Sequence, residues 1–161
     1  MQKIIGIDPG LAATGIGIVA GSAAKITGYA YSSIRTSKSM LLPLRLDKIF
    51  SEVFKVLEFE KPDLMVLEDI FSLKEYPKSG ITLGKVAGVI MLAGCRAHVS
   101  VTEISVREAK QVLTGNGKAD KAQLERSVRN QLGARLPIHP DHASDALALA
   151  LIGFYRNRIE P

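Results

Sequence analysis

KIIGIDPGLAATGIGIV, residues 3–19, is a pair of β-branched apolar runs joined by a Pro-Gly turn, with one acidic residue, Asp8, at the junction. Such runs on either side of a turn read as a hairpin, with strands over residues 2–8 and 15–20. A third short run at 25–33 extends the pair into a three-stranded meander. Position alone leaves Asp8 with two readings. An Asp before Pro-Gly bonds the amides of its own turn, and a carboxylate at a strand end is placed to hold a cation.

Beyond the meander, Leu46, Ile49, Phe50, Val53 and Leu57 form the apolar stripe of a core-facing helix over about Leu41 to Glu60, which Pro62-Asp63 ends. LMVLE, residues 64–68, is a continuously apolar strand that finishes on Glu68. A helix over about 80–97 and a strand at 99–104 follow, and three helices complete the chain. The order βββαβαβ implies an α/β protein with a mixed five-stranded sheet flanked by helices, antiparallel at its start and parallel afterwards. That is the order of the ribonuclease H-like fold. With 161 residues, 1–161 are expected to form one domain. Parallel strands end on the same side of the sheet, so Asp8 and Glu68, sixty positions apart, are expected to meet there. Asp69 points to the opposite side of its strand, and the register favours Glu68 as the residue sharing a face with Asp8.

Composition narrows the function. The net charge is +5 and the pI about 9.4, a balance that suits a polyanionic partner. The charges are segregated. Residues 107–135 carry seven Lys/Arg against three Asp/Glu, whereas residues 52–69 carry six acids against two bases. A protein that grips phosphates in one place and concentrates carboxylates in another would look like this. GVIMLAG and DALALALIGF are broken by glycines or flanked by charges well before twenty residues, so neither is expected to span a bilayer. With no leader-like segment before the first strand, a cytoplasmic location is expected. Cys95 is the only cysteine, which excludes disulfides and thiolate metal sites, and it is expected to be buried in an apolar helix.

HPDHASDALALALIGFYR, residues 139–156, supplies further acidic candidates. Pro140 suits a first helical turn and Asp141 a helix cap. His142 and Asp145 are three apart, Asp141 and Asp145 four apart, so either pair shares a helix face and spacing does not choose between them. Hard oxygen or imidazole donors converging at strand ends, without cysteine, suit Mg²⁺ or Mn²⁺. Two such ions about 4 Å apart activate a water on one side of a phosphate and stabilise the leaving oxygen on the other. Phosphodiester hydrolysis is the natural chemistry.

IIGIDPGLAATGIGIV, RLDKIFSEVFKVLEFEKPDLMVLEDIF, LGKVAGVIML, VREAKQVLTGNGKADKAQLERSVRNQLG and HASDALALAL resemble, in order and spacing, the RuvC family of bacterial Holliday junction resolvases. The resemblance runs through nearly the whole chain. It implies a homodimeric endonuclease that nicks four-way DNA junctions symmetrically, leaving 5′-phosphate and 3′-hydroxyl ends, and that works with the RuvA and RuvB branch-migration proteins. It implies two divalent ions held by Asp8, Glu68, His142 and Asp145, and so places Asp141 outside the ligand set. Many relatives carry Asp where this chain has His142, which implies good support by Mn²⁺ and sensitivity to mild acid. Phe71 matches an aromatic that stacks on an unpaired base at the junction centre. Lys110 and Lys121 match bases near the scissile phosphate, with Arg107, Lys118 and Arg126 as further phosphate contacts. Gly84 and Gly88 mark the helix used for the dimer, although small residues also permit packing within the chain.

Three alternatives stand beside this reading. An actin-like or sugar-kinase ATPase shares the opening Asp and turn but needs a second half that this length does not supply. TGNGK is not a phosphate loop, since Val112 stands where the first glycine is required and Ala119 follows the lysine. A YqgF-like nuclease shares the fold but matches the Phe71 position and the basic segment less well. A junction-binding module without cleavage is disfavoured by competent groups at all four ligand positions.

Overall fold

The computed structural model describes residues 1–22, 25–70 and 77–157. Its elements are β1 Gln2–Asp8, β2 Ala13–Ser22, β3 Lys25–Arg35, α1 Leu42–Glu60, β4 Leu64–Glu68, α2 Pro77–Arg96, β5 Val101–Ile104, α3 Val106–Thr114, α4 Lys121–Leu132 and α5 Asp141–Arg156. The five strands form one sheet in the order β3-β2-β1-β4-β5. β1 pairs antiparallel with β2 and β2 with β3, whereas β1–β4 and β4–β5 are parallel. This is the mixed sheet expected from the element order. The β2–β3 hairpin is longer at both ends than its apolar runs suggest, because ladder pairing continues from Ala13↔Arg35 to Ser22↔Lys25.

Strand parity divides the core in two. Ile5, Ile7, Ile16, Ile18, Met65 and Leu67 face α1 and α2, where Ile49, Val53, Leu57, Val86 and Ile90 meet them. Ile4, Val19, Val66 and Ile104 face the opposite layer, built from α3, α4 and α5 and centred on Leu147, Leu151 and Phe154. Each large side chain so buried contributes about 1.5–3 kcal/mol. The predicted stripe on α1 is therefore the face that packs. The helix ends where Lys61 turns left-handed (φ 46°) and its N–H bonds Leu57 O, just before Pro62.

One expectation for α2 is corrected. Cys95 is exposed, not buried, because the helix buries Val86, Ala87, Ile90 and Ala93 and turns Cys95 outward with Leu92. Gly84 and Gly88, left open between packing within the chain and against a second copy, meet no other helix among the described residues, since a Cβ at either position would find nothing within 4 Å. By length and composition Lys78–Arg96 is apolar enough to cross a bilayer. Its buried inner face is that of a helix in a packed α/β layer.

Candidate active site

The same parity places the carboxylates. Gly6 and Asp8 lie on the face of β1 covered by α5, with Ile5 and Ile7 on the other. β4 runs parallel in the register Gly6↔Val66 and Ile7↔Leu67. Val66 packs in the α5 layer, so Glu68, two residues on, shares the face of Asp8 and Asp69 points away. The carboxyls of Asp8 and Glu68 lie close enough to interact across the two strand ends. The Asp69 amide completes the end of β4 by donating to Ile104 O at 2.9 Å.

Glycines admit α5 to this face. A Cβ at Gly6 would lie 2.0 Å from Ala146 O, at Gly17 2.5 Å from Leu147 N, and at Gly15 2.0 Å from His142 O. With no side chain in the way, the helix backbone rests directly on β1 and β2. Its first turn is thereby held over Asp8. His142 Nδ1 lies 2.7 Å from Asp8 Oδ2, and Asp145, one turn later, is electrostatically coupled to both Asp8 and Glu68. The glycines were visible in the sequence, but their purpose was not, because nothing local says which helix will cover them.

Asp141 is not the helix cap. Pro140 occupies the cap position in extended geometry and Asp141 is the first helical residue, with no side-chain cap bond. Its carboxylate faces Lys121 Nζ at 3.7 Å, and the same ammonium lies 3.9 Å from Asp145 Oδ2. Lys121 is delivered by α4, whose start is fixed by a reciprocal capping box between Asp120 and Gln123.

The concentration of charge is costly. Burial pushes the Asp8 carboxyl up to about 6, against the hydrogen bond from Glu68 that pulls it down. Burial, and then the hydrogen bond and charge of Asp8, push Glu68 up to about 8. Burial also raises Asp145, while Lys121 opposes the rise. Two partly buried carboxyls in contact hold a proton between them, because neither can ionise beside the other in a poorly solvated site.

The remaining candidates are not all brought here. Arg107, at the start of α3, lines a cleft of about 610 Å³ with Asp8, Glu68, Asp69 and Ile70. Lys110 is half-buried along α3 and Lys118 is exposed before α4; among the described residues neither forms an ion pair with the acidic cluster. Arg126 lies in a different cleft, between α3 and α4, beside Asn116, Gln123 and Asn130. Phe71 lies outside the described residues.

Three carboxylates and an imidazole are donors that suit Mg²⁺ or Mn²⁺, and the raised carboxyls mark negative charge that a divalent cation would neutralise. Among the described residues, no three of these donors stand as a ready ligand shell. Asp8, Glu68 and His142 instead close on one another through hydrogen bonds. The donor chemistry fits a hard divalent ion, with these hydrogen bonds giving way to it.

Comparison with known proteins agrees with this arrangement. Residues 4–153 match the family model described as crossover junction endodeoxyribonuclease RuvC. A relative of that name from Caldicellulosiruptor saccharolyticus is 36% identical over 153 residues, 93% of this chain and 90% of its own. Another from Carboxydothermus hydrogenoformans is 36% identical over 155 residues, covering 96% and 97%. RuvC of Thermus thermophilus in complex with Holliday junction substrate superposes with a TM-score of 0.90 at 29% identity, over 99% of this chain and 96% of that one. A yeast mitochondrial Holliday junction resolvase, Ydc2, shares the fold with a TM-score of 0.63 at 12% identity, over 97% and 82%. A full-length sequence match and a matching sheet-and-helix framework around Asp8 and Glu68 lead to one assignment: the chain belongs to the RuvC family of crossover junction endodeoxyribonucleases.

Proposed function

We propose that the protein is a divalent-metal-dependent endonuclease that resolves four-way DNA junctions by symmetric nicking, and that Asp8, Glu68, His142 and Asp145 are its metal ligands. The observation that carries this reading is the convergence of those four side chains, from β1, β4 and α5, in a member of the RuvC family. Two Mg²⁺ or Mn²⁺ ions at these donors would supply a nucleophilic water and neutralise charge on the leaving oxygen.

The chain's own residues do the rest. A cation held by Asp8 and Glu68 would take the place of the proton they share. Before a cation binds, Asp8 holds the His142 ring through Nδ1, 2.7 Å from Oδ2. Lys121 stands against Asp145 and Asp141, where its ammonium offsets acidic charge and offers a contact to an approaching phosphate. Arg107 lines a cleft together with Asp8 and Glu68 and favours a polyanion there. Lys110, Lys118 and Arg126 are proposed as further phosphate contacts and Phe71 as the residue that stacks on an unpaired base.

A homodimer follows from the substrate, because two like-polarity strands must be cut and a two-fold protein meets a nearly two-fold junction with one site per subunit. The outward face of α2 supports this reading, since Ile81 and Leu92 are exposed beside Gly84 and Gly88. Residues 1–161 act as one resolvase domain, in the cytoplasm, with the RuvA and RuvB proteins as partners. The test is cleavage of a labelled mobile four-way junction beside a linear duplex of the same sequence, in Mg²⁺, Mn²⁺ or EDTA. Paired cuts in the junction alone, only with metal, are expected; equal cutting of both substrates refutes junction selectivity, and tight binding without cutting indicates an inactive junction-binding module.

A further inference from the structure

Asp8 is the last residue of β1, and the chain leaves it through a turn in which Pro9 is buried, Leu11 packs against the core and Ala12 is exposed. Something must hold that turn if the carboxylate is to stay in place. Within the turn, Thr14 Oγ1 donates to Gly10 O at 2.8 Å. The other ties come from far along the chain. Thr36, just past the end of β3, donates its hydroxyl to Leu11 O and its amide to Ala12 O at 3.1 Å. Arg45, in the first turn of α1, donates Nε to Thr36 Oγ1 at 2.7 Å and Nη2 to Leu11 O at 3.2 Å. One guanidinium fork therefore grips both members of the Thr36–Leu11 hydrogen bond, three residues beyond Asp8.

We propose that Arg45 and Thr36 form a clamp that positions the Asp8 carboxylate, so that they set metal affinity without touching the metal. The inference rests on reading Asp8 as a ligand. Its physical basis is the planar fork. Nε and Nη2 of arginine present two parallel donors at fixed separation, whereas the single ammonium of lysine is a point charge on a flexible stem and does not reproduce the pair. The clamp also joins the end of β3 and the start of α1 to the turn, and half-buried hydrogen bonds among charged and neutral partners are strengthened by the lower local dielectric. Groups that orient ligands from behind typically change metal affinity by about 10–100-fold when altered. Arg45 and Thr36 occupy that place here through the backbone of the turn.

The test measures Mn²⁺ binding to the DNA-free protein by calorimetry and by the electron paramagnetic resonance signal of the free ion. The variants are Arg45→Lys, Thr36→Val, the double variant and Asp8→Asn, with junction binding measured in EDTA and thermal unfolding recorded for each. Arg45→Lys and Thr36→Val are each expected to weaken Mn²⁺ binding by about tenfold. The double variant is expected to fall little further, because the two residues act as one unit. Junction binding in EDTA should stay at the wild-type level. Unchanged Mn²⁺ affinity in Arg45→Lys and Thr36→Val, whatever happens to their unfolding midpoints, overturns the clamp. Wild-type Mn²⁺ affinity in Asp8→Asn would instead overturn the assignment of Asp8 as a ligand, so the two failures are distinguishable.

Discussion

His142 and Asp8 are 134 positions apart in sequence, and the imidazole Nδ1 lies 2.7 Å from the carboxylate Oδ2. The contact ties the first turn of α5 to the end of β1 and fixes how the ring is turned. His142→Ala is expected to lower junction cleavage by about 10–100-fold, the range for lost or misoriented ligands. His142→Asp restores an oxygen donor at that position and should recover most activity in Mg²⁺. Single-turnover cleavage rates in Mg²⁺ and Mn²⁺ check this, and wild-type rates in His142→Ala would contradict it.

The glycine track makes a prediction about distance. Gly6→Ala and Gly17→Ala each drive a methyl into the backbone of α5. Overpacking of this kind costs about 1–3 kcal/mol, and here it also lifts His142 and Asp145 away from the sheet. Lower unfolding midpoints and a loss of cleavage together are expected. Gly28→Ala is the control, because a Cβ there meets nothing within 4 Å; thermal unfolding and cleavage of the three variants decide the matter.

How much of this was legible beforehand depended on locality. Strand ends and side-chain parity were enough to join Asp8 to Glu68, since both follow from apolar runs and a period of two. The third and fourth donors were not separable by spacing, because Asp141 and His142 are both one turn from Asp145; resemblance favoured His142, and the structure turns it to Asp8 and Asp141 to Lys121. Cys95 was misread since an apolar neighbourhood in sequence does not say which side of a helix faces water. The Thr36–Arg45 clamp carried no local signal at all. Its partners come from three elements and include a backbone carbonyl, which every residue possesses.

The acidic pair makes stability depend on pH. Asp8 is held at about 6 and Glu68 at about 8, both above their unfolded values, so the folded chain binds those protons more tightly than the unfolded one. Their contribution to stability is full below the unfolded values, near pH 4, and is lost as pH rises through about 6 and about 8. In EDTA the unfolding midpoint of the wild type should therefore fall relative to that of Glu68→Gln between about pH 5 and pH 8. Mg²⁺ should offset the fall, since a ligand bound only by the folded state stabilises it. Parallel midpoints across that range would contradict the assignment of a shared buried proton.

The outward face of α2 makes a prediction about assembly. Leu92 is half-exposed beside Gly88. Leu92→Asp places a charge where a second subunit would have to bury it, at a cost of several kcal/mol. Sedimentation should show a two-chain particle for the wild type and a single chain for the variant, with little change in the unfolding midpoint of the monomer.

The central claim is that the Asp8 cluster cuts the junction and is not needed to hold it. Junction binding in EDTA and junction cleavage in Mg²⁺, measured side by side for wild type and Asp8→Asn, test it most directly. The expected result is binding within a factor of about 10 of wild type, because the proposed contacts to the phosphates come from Lys and Arg side chains, with cleavage reduced by at least about a hundredfold. Undiminished cleavage by Asp8→Asn would contradict the account.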